Sequence, residues 1–249
     1  MPYSIGLAGK GGTGKTTLAG LLIRYLVEKG KVPVLAVDAD SNSNLNEVLG
    51  MEVPETLGDA REEMKKGVAT GMTKDVFIEM KLEQAVVEAK GFDLIVMGRP
   101  EGAGCYCAAN TLLTNSLDRL VKNYAYVVMD NEAGMEHISR LTTNNVNLLV
   151  VVSDPTRRGI QAASRIHRLT DELSLKIEKK CLVVNQAKEG QEEEIRKRAK
   201  EFNLDPMGII PEDPLVQQFD LEGKPTTELT GESSALKAAF ALFDKILPA

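Results

Sequence analysis

An apolar run, Tyr3–Ala8, leads directly into Gly9-Lys10-Gly11-Gly12-Thr13-Gly14-Lys15-Thr16-Thr17, and a helical pattern follows at once. This strand–loop–helix succession satisfies G-x-x-x-x-G-K-[ST], the nucleotide-binding P-loop. No other feature restricts the fold as much, because the loop works only between a buried strand and a helix packed against the same sheet. Backbone N–H groups of Gly9 to Gly14 would cradle phosphates. Lys15 would reach the terminal phosphates, the Thr16 hydroxyl would hold Mg²⁺, and Thr17 completes the loop. Lys10 is a second lysine that an ordinary P-loop does not need.

The rest of the chain repeats the alternation. Lys15–Lys29 reads as a helix with Leu18, Leu21, Leu22, Tyr25 and Leu26 on one face and Gly30 as its stop. Val34–Val37, Leu94–Met97, Tyr126–Met129, Leu148–Val152, Leu182–Val184 and Met207–Ile210 read as further strands. Asn44–Leu49 reads as a short helix, and Thr111–Lys122, Glu136–Thr143, Arg157–Leu173, Glu192–Phe202 and Ser233–Leu247 as longer ones. Glu55–Lys90 reads as mixed helix and loop. Continuous apolar strands separated by helices predict an α/β fold: a mostly parallel sheet of about seven strands, covered by helices on both faces. No repeat or linker divides the 249 residues, so residues 1–249 are expected to form one P-loop domain.

Unusual polar residues follow nearly every strand: the P-loop, then Asp38 and Asp40, then the glycine-rich Gly98–Cys105 segment, then Asp130, Asp154, Asn185 and Pro211. An open α/β sheet binds its ligand along that carboxyl edge, so these segments are expected to meet around one site. Tyr126-Val127-Val128-Met129-Asp130 is an apolar strand ending in a carboxylate, the Walker B pattern, and Asp130 would hold Mg²⁺ through a water. Asn131-Glu132-Ala133-Gly134 completes D-x-x-x-G, where Gly134 would let a switch loop approach the terminal phosphate. The run from Asp38 to Asn44 also reads as an Asx-rich turn capping a helix at Asn44. For Glu212 and Asp213, a Pro-initiated helix start is the competing reading.

A net charge of −6 argues against a nucleic-acid partner. No stretch of about 18 apolar residues occurs, so no membrane span is expected. The chain enters a strand without a signal peptide, and cytoplasmic localisation follows as an expectation. The cluster Arg196-Lys197-Arg198 follows Glu192-Glu193-Glu194 at i,i+4 spacing, which predicts a salt-bridged exposed face. His167, beside Arg165 and Arg168, reads as solvated.

Three cysteines make no disulfide framework. Cys181 lies in an expected strand and reads as a buried small hydrophobe. Cys105-Tyr106-Cys107 is different, because thiols at i and i+2 lie on the same side of an extended segment and could grip one metal ion. The competing reading is two unrelated small residues in a loop. A closed tetrahedral site needs four ligands. One chain supplies two, and a symmetric dimer with the pairs facing each other would supply Cys₄.

The P-loop with Lys10 resembles the deviant-Walker branch of P-loop ATPases. That resemblance implies a dimer in which Lys10 reaches the partner subunit's ATP. It implies that Asp40 positions or deprotonates the attacking water and that Asp38 sits near Mg²⁺. It also implies that Asn185 and the Pro211-Glu212-Asp213 segment contact adenine, which favours ATP/ADP over guanine nucleotides.

Gly98-Arg99-Pro100-Glu101 leading into Gly104-Cys105 looks like the cluster-bearing loop of nitrogenase iron protein. The second cluster cysteine of that family, seven residues past the Walker B Asp, is replaced here by His137.

The combination of the P-loop with Lys10, Asp38-Ala39-Asp40-x-Asn42-x-Asn44, the loop into Cys105-Tyr106-Cys107, and Asp130-x-Glu132-Ala133-Gly134-x-Glu136-His137 resembles the CooC and AcsF type of nickel-insertion ATPases. The resemblance spans essentially the whole chain. It implies a metallochaperone that binds Ni²⁺, or Zn²⁺ in its place, through Cys105 and Cys107. It also implies an ATP-dependent homodimer and a client nickel enzyme, carbon monoxide dehydrogenase or acetyl-CoA synthase. A MinD- or ParA-like positioning ATPase and an iron–sulfur cluster scaffold ATPase are the alternatives.

Overall fold

The computed structural model describes residues 1–40, 44–67, 71–98, 115–131, 146–172 and 176–248. Cys105, Cys107, Gly134, His137 and the helix expected over 136–143 lie outside the described residues.

Among the described residues, eight strands form one sheet in the order β3-β4-β2-β5-β1-β6-β7-β8. They are β1 (Tyr3–Gly9), β2 (Val34–Asp38), β3 (Val87–Glu88), β4 (Phe92–Val96), β5 (Tyr126–Asp130), β6 (Val146–Ser153), β7 (Ile177–Ala187) and β8 (Pro206–Pro211). Every pairing is parallel except β3 with β4. The seven strands read from the sequence are all present. The eighth, β3, lies inside the region read as helix and loop, and two residues are too short to show any periodicity.

The helices are α1 (Lys15–Glu28), α2 (Leu45–Leu49), α3 (Leu57–Lys66), α4 (Lys74–Ala85), α5 (described over 115–121), α6 (Arg157–Glu172), α7 (Glu192–Glu201), α8 (Pro214–Leu221) and α9 (Ser234–Ile246). The described part of the region 55–90 therefore holds two helices. A capping box starts the first, with the Thr56 side chain accepting from the Asp59 N–H and Asp59 accepting from the Thr56 N–H. Lys81 joins them, bonding Glu55 at 2.8 Å and Glu63 at 2.6 Å.

Alternation along the strands feeds two cores, one on each face. Ile5 and Leu7 of β1, Val34 and Ala36 of β2, and Leu148, Val150 and Val152 of β6 pack with α1 and α9. Leu35, Val37, Leu149 and Val151 pack on the other face with Leu57, Ile78, Leu117, Ile160 and Ile195 of α3 to α7. Both faces are buried, so these strands read as continuous apolar runs. α1 is enclosed beyond its expected stripe. Ala19, Gly20 and Ile23 are also buried, and a Cβ on Gly20 would lie 2.3 Å from Val48 of α2. Phe243 is fully buried against α1, and its truncation to Ala would cost about 3–5 kcal/mol.

The face expected to be salt-bridged is so, with one change of partner, and the reading of His167 needs correction. Glu194 pairs with Arg198 at i,i+4 as read, but Arg196 turns to Asp205 and to the Pro206 carbonyl, 3.0 Å away. His167 is half-buried, its Nε2 has no hydrogen-bond partner among the described residues, and burial lowers its pKa. Cys181 is buried in β7, as expected.

Candidate nucleotide-binding site

β1 ends at Gly9 in the centre of the sheet, beside Val152 of β6. A Cβ on Gly9 would meet the Val152 carbonyl oxygen at 2.2 Å, so only glycine lets the loop leave the strand here. The loop then turns through Gly14, at φ 81°, into the first turn of α1. A Cβ at Gly14 would lie 2.3 Å from the Asn185 amide nitrogen. The loop is braced internally, with the Thr13 hydroxyl donating to the Lys10 carbonyl at 2.9 Å. Lys15 is largely buried, and its ammonium points back at the same carbonyl at 3.4 Å. The Lys10 residue is exposed. Of the two lysines, one therefore sits inside the loop and the other lies at its surface.

The sheet order brings β5 between β1 and β2, which sets Asp38 and Asp130 directly side by side. Both are buried, at 0% and 2% exposure, yet they have different surroundings. Asp38 accepts from the Asp40 and Leu45 backbone N–H groups at 3.0 Å each, and from that of Asn44. Burial pushes its carboxyl up to about 6 against the pull of those bonds. The cap of α2 is thus supplied by Asp38, whereas Asn44, the expected cap, makes no side-chain cap bond. Asp38 therefore holds the backbone at the start of α2 while lying beside Asp130. The same carboxylate accepts from the Asp40 N–H, and Asp40 lies close enough to Asp130 for their charges to repel.

Asp130 has little to offset its burial. The Thr16 hydroxyl bonds one side of its carboxylate, and its Oδ1 has no partner among the described residues. Burial pushes its carboxyl up to about 7; repulsion from Asp38 and Asp40 adds to the rise, while Thr16 and Lys15 oppose it. A buried carboxylate oxygen without a partner is rare in folded proteins. A hard cation that keeps part of its water shell and takes oxygen ligands would satisfy it, so Asp130 and Thr16 fit a hydrated Mg²⁺. The sequence pattern had also passed over Asn131, which is fully buried and donates to the Leu7 carbonyl at 2.9 Å, tying the end of β5 to β1.

A cleft of about 500 Å³ opens beside the loop, between α1 and the ends of β6, β7 and β8. All four residues expected near adenine line it: Asn185, Pro211, Glu212 and Asp213. Asn185 donates to the Thr13 carbonyl at 2.9 Å, which fixes the P-loop to β7. Glu212 accepts from the Gln217 side chain at 2.8 Å. Asp213 is engaged elsewhere, accepting from the Leu215 and Ala235 N–H groups at 2.9 Å and from the Ser233 hydroxyl at 2.6 Å. Burial would raise its pKa, but these bonds overcome that and hold it below the ordinary carboxylate range. Its carboxylate caps α8 and secures the start of α9, so the helix-start reading describes Asp213 better than a base contact does.

Thr156 and Gln186 also line the cleft and were not singled out by sequence. Asp154-Pro155-Thr156 carried a usable signal, since Asp before Pro and a hydroxyl residue marks a turn into a helix. Thr156 Oγ1 caps the start of α6 through the Gly159 N–H at 3.0 Å. Gln186 carried none. No described helix is long and apolar enough to cross a membrane.

The family model for the CobQ/CobB/MinD/ParA nucleotide binding domain matches residues 5–226. An uncharacterized ATP-binding protein of Methanocaldococcus jannaschii is 43% identical over 98% of both chains. The carbon monoxide dehydrogenase accessory protein CooC of Rhodospirillum rubrum is 33% identical over 98% of this chain and 97% of its own. Among solved structures, the septum site-determining protein MinD of Pyrococcus horikoshii, complexed with Mg-ADP, superposes with a TM-score of 0.68. It is 22% identical, with 99% of this chain and 96% of that one covered, a likeness of fold. The matched residues take in the P-loop, both strand-end carboxylates and most of the cleft, and the chain belongs to the CobQ/CobB/MinD/ParA nucleotide-binding domain family.

Proposed function

We propose that the chain is an ATPase that loads nickel into a client enzyme, carbon monoxide dehydrogenase or acetyl-CoA synthase, as an ATP-gated cytoplasmic homodimer. The observation that carries the ATPase half is the buried, partnerless Asp130 oxygen beside Thr16 and Lys15 at the P-loop. The nickel half is supported by the Cys105-Tyr106-Cys107 pair and by the full-length likeness to a protein named as a carbon monoxide dehydrogenase accessory protein.

In this reading the P-loop N–H groups and Lys15 hold the ATP phosphates, and the cleft at Asn185, Pro211 and Glu212 takes the base. Asp213 contributes by holding the two helices that wall the cleft. Thr16 and Asp130 would hold Mg²⁺, Asp130 through a water, with Asp38 beside them. The ion would neutralise charge on the terminal phosphates. Asp40, positioned by the Asp38 turn, orients the attacking water. Phosphoryl transfer depends on such positioning because its transition state is loose.

The exposed Lys10 completes the partner subunit's site, so ATP favours the closed dimer. Closure brings two Cys105–Cys107 pairs together, and borderline-soft Ni²⁺ is well suited to four thiolates. Hydrolysis reopens the dimer, and nickel passes to the client as cargo.

Metal analysis of the purified dimer tests this. The wild type should hold about one nickel per dimer, as a shared four-thiolate site requires, and Cys105→Ala and Cys107→Ala should each lose it. Nickel retained by both variants would overturn the metal site. Iron with visible cluster absorbance would favour a scaffold ATPase, and ATP-dependent sedimentation with vesicles would favour a positioning ATPase.

A further inference from the structure

Side chains alternate regularly along β7 until it reaches the site. Cys181 and Val183 enter the core on the α1 side, and Leu182 and Val184 enter the opposite core. Continued alternation would send Asn185 toward α1, Gln186 away from it, and Ala187 toward α1 again. Ala187 instead packs with Leu182 and Val184 in the opposite core. The pairing with β8 shows the same break. Val184 to Ala187 is three steps along β7, and their partners Ile209 and Pro211 are two steps apart. One extra residue has been inserted, which makes a β-bulge.

Gln186 absorbs the insertion in the left-handed conformation, at φ 59°. Glycine adopts that conformation freely, and a residue with a Cβ does so under strain. Bulges near binding sites re-aim side chains, and this one does so. Asn185 and Gln186 both reach the P-loop, although neighbours on a regular strand face opposite ways. Asn185 Nδ2 donates to the Thr13 carbonyl at 2.9 Å, and Gln186 Nε2 donates to the Gly12 carbonyl at 3.3 Å. Only the amide nitrogen can face a carbonyl, so the orientation of each side chain is fixed.

Two consecutive loop carbonyls are thus held by two consecutive amides. In a trans peptide the C=O and the following N–H point in opposite directions. Drawing the Gly12 and Thr13 carbonyls toward β7 therefore turns the Thr13 and Gly14 N–H groups the other way, toward the phosphate cradle. The loop needs this help, because Gly11, Gly12 and Gly14 leave its backbone more freedom than any other segment of that length would have. Order imposed before binding is order that the ligand need not impose.

We propose that Gln186 is a positioning residue: the β7 bulge aims its amide at the Gly12 carbonyl and so sets the P-loop in its phosphate-binding form. The proposal rests on the reading of this site as one for Mg-ATP.

The test is a titration of a fluorescent Mg-ATP analogue into the full-length wild type, Gln186→Met and Gln186→Gly, with thermal midpoints measured without nucleotide. Met keeps the length and the strained backbone but cannot donate. Gly removes both the donor and the strain. Each variant should bind about 3–10-fold more weakly, the range for one partly exposed neutral hydrogen bond. In turnover the loss should fall on KM, with kcat changed less than about twofold. Gln186→Gly should melt above Gln186→Met, because both lose the donor and only glycine relieves the positive-φ strain. A Gln186→Met protein that binds as tightly as the wild type would overturn the proposal, as would weaker binding in the Gly variant alone. A wild type that does not bind the analogue at all would overturn the nucleotide reading itself.

Discussion

Asp130→Asn should make the protein more stable while disabling its site. In the folded chain Asp130 is 2% exposed and its carboxyl is pushed up to about 7 from an ordinary value of 3.8. A rise of that size corresponds to about 4 kcal/mol of differential stability at most. The sign follows from proton counting. Below both values the folded and unfolded chains are equally protonated. Between them the folded chain holds a proton that the unfolded chain has released, so stability falls as pH rises from about 4 to about 7 and stays low above that. Asp38 shares part of the repulsion, so the gain on neutralising Asp130 should be about 2–3 kcal/mol at pH 8 and about 1 kcal/mol at pH 5. Asparagine keeps an acceptor for the Thr16 hydroxyl, so that hydrogen bond is not sacrificed. Urea denaturation in EDTA at the two pH values measures the gain, and repeating it with Mg-ATP should show that ligand stabilisation is lost. A variant less stable than wild type at pH 8, or an equal gain at both pH values, would refute the reasoning.

Asp213→Ala should cost about 2–3 kcal/mol in urea denaturation, because one carboxylate caps α8 and secures the start of α9. Asp213→Asn, which keeps an acceptor, should cost about half as much. Asp40→Asn should lower the steady-state rate of ATP hydrolysis at least about 100-fold, with Mg-ATP affinity within a few-fold of wild type, if the carboxylate acts on the attacking water.

What the sequence revealed and what it hid divide along physical lines. The P-loop is local, and its glycines, Lys15 and Thr16 are all needed within one turn of chain, so it can be read directly. The buried strands are legible for the same reason, since a run such as Leu148–Val152 is apolar on both faces only if both faces are covered. The adjacency of Asp38 and Asp130 is not local. It arises because β5 inserts between β1 and β2, a choice made by packing across the whole sheet. Only that neighbourhood shows that one carboxylate is engaged by backbone N–H groups and that the other has an oxygen without a partner among the described residues. Asp213 is similar, because its second helix start lies 20 residues further along the chain. The bulge at Asn185 and Gln186 left no trace, since no glycine or proline marks it. The cysteine pair is the reverse case, plain in the sequence and outside the described residues.

The proposed dimer rests on two separate arguments, one from Lys10 and ATP and one from the ligand count of the Cys105-Tyr106-Cys107 pair. Light scattering with and without Mg-ATP, combined with nickel analysis of the same fractions, joins the two in one measurement on wild type and Lys10→Ala. The account predicts that Mg-ATP raises the dimer fraction of the wild type, which carries about one nickel per dimer, and that Lys10→Ala neither responds to Mg-ATP nor holds nickel at that ratio. A Lys10→Ala protein that dimerises with Mg-ATP and binds nickel as the wild type does would contradict it.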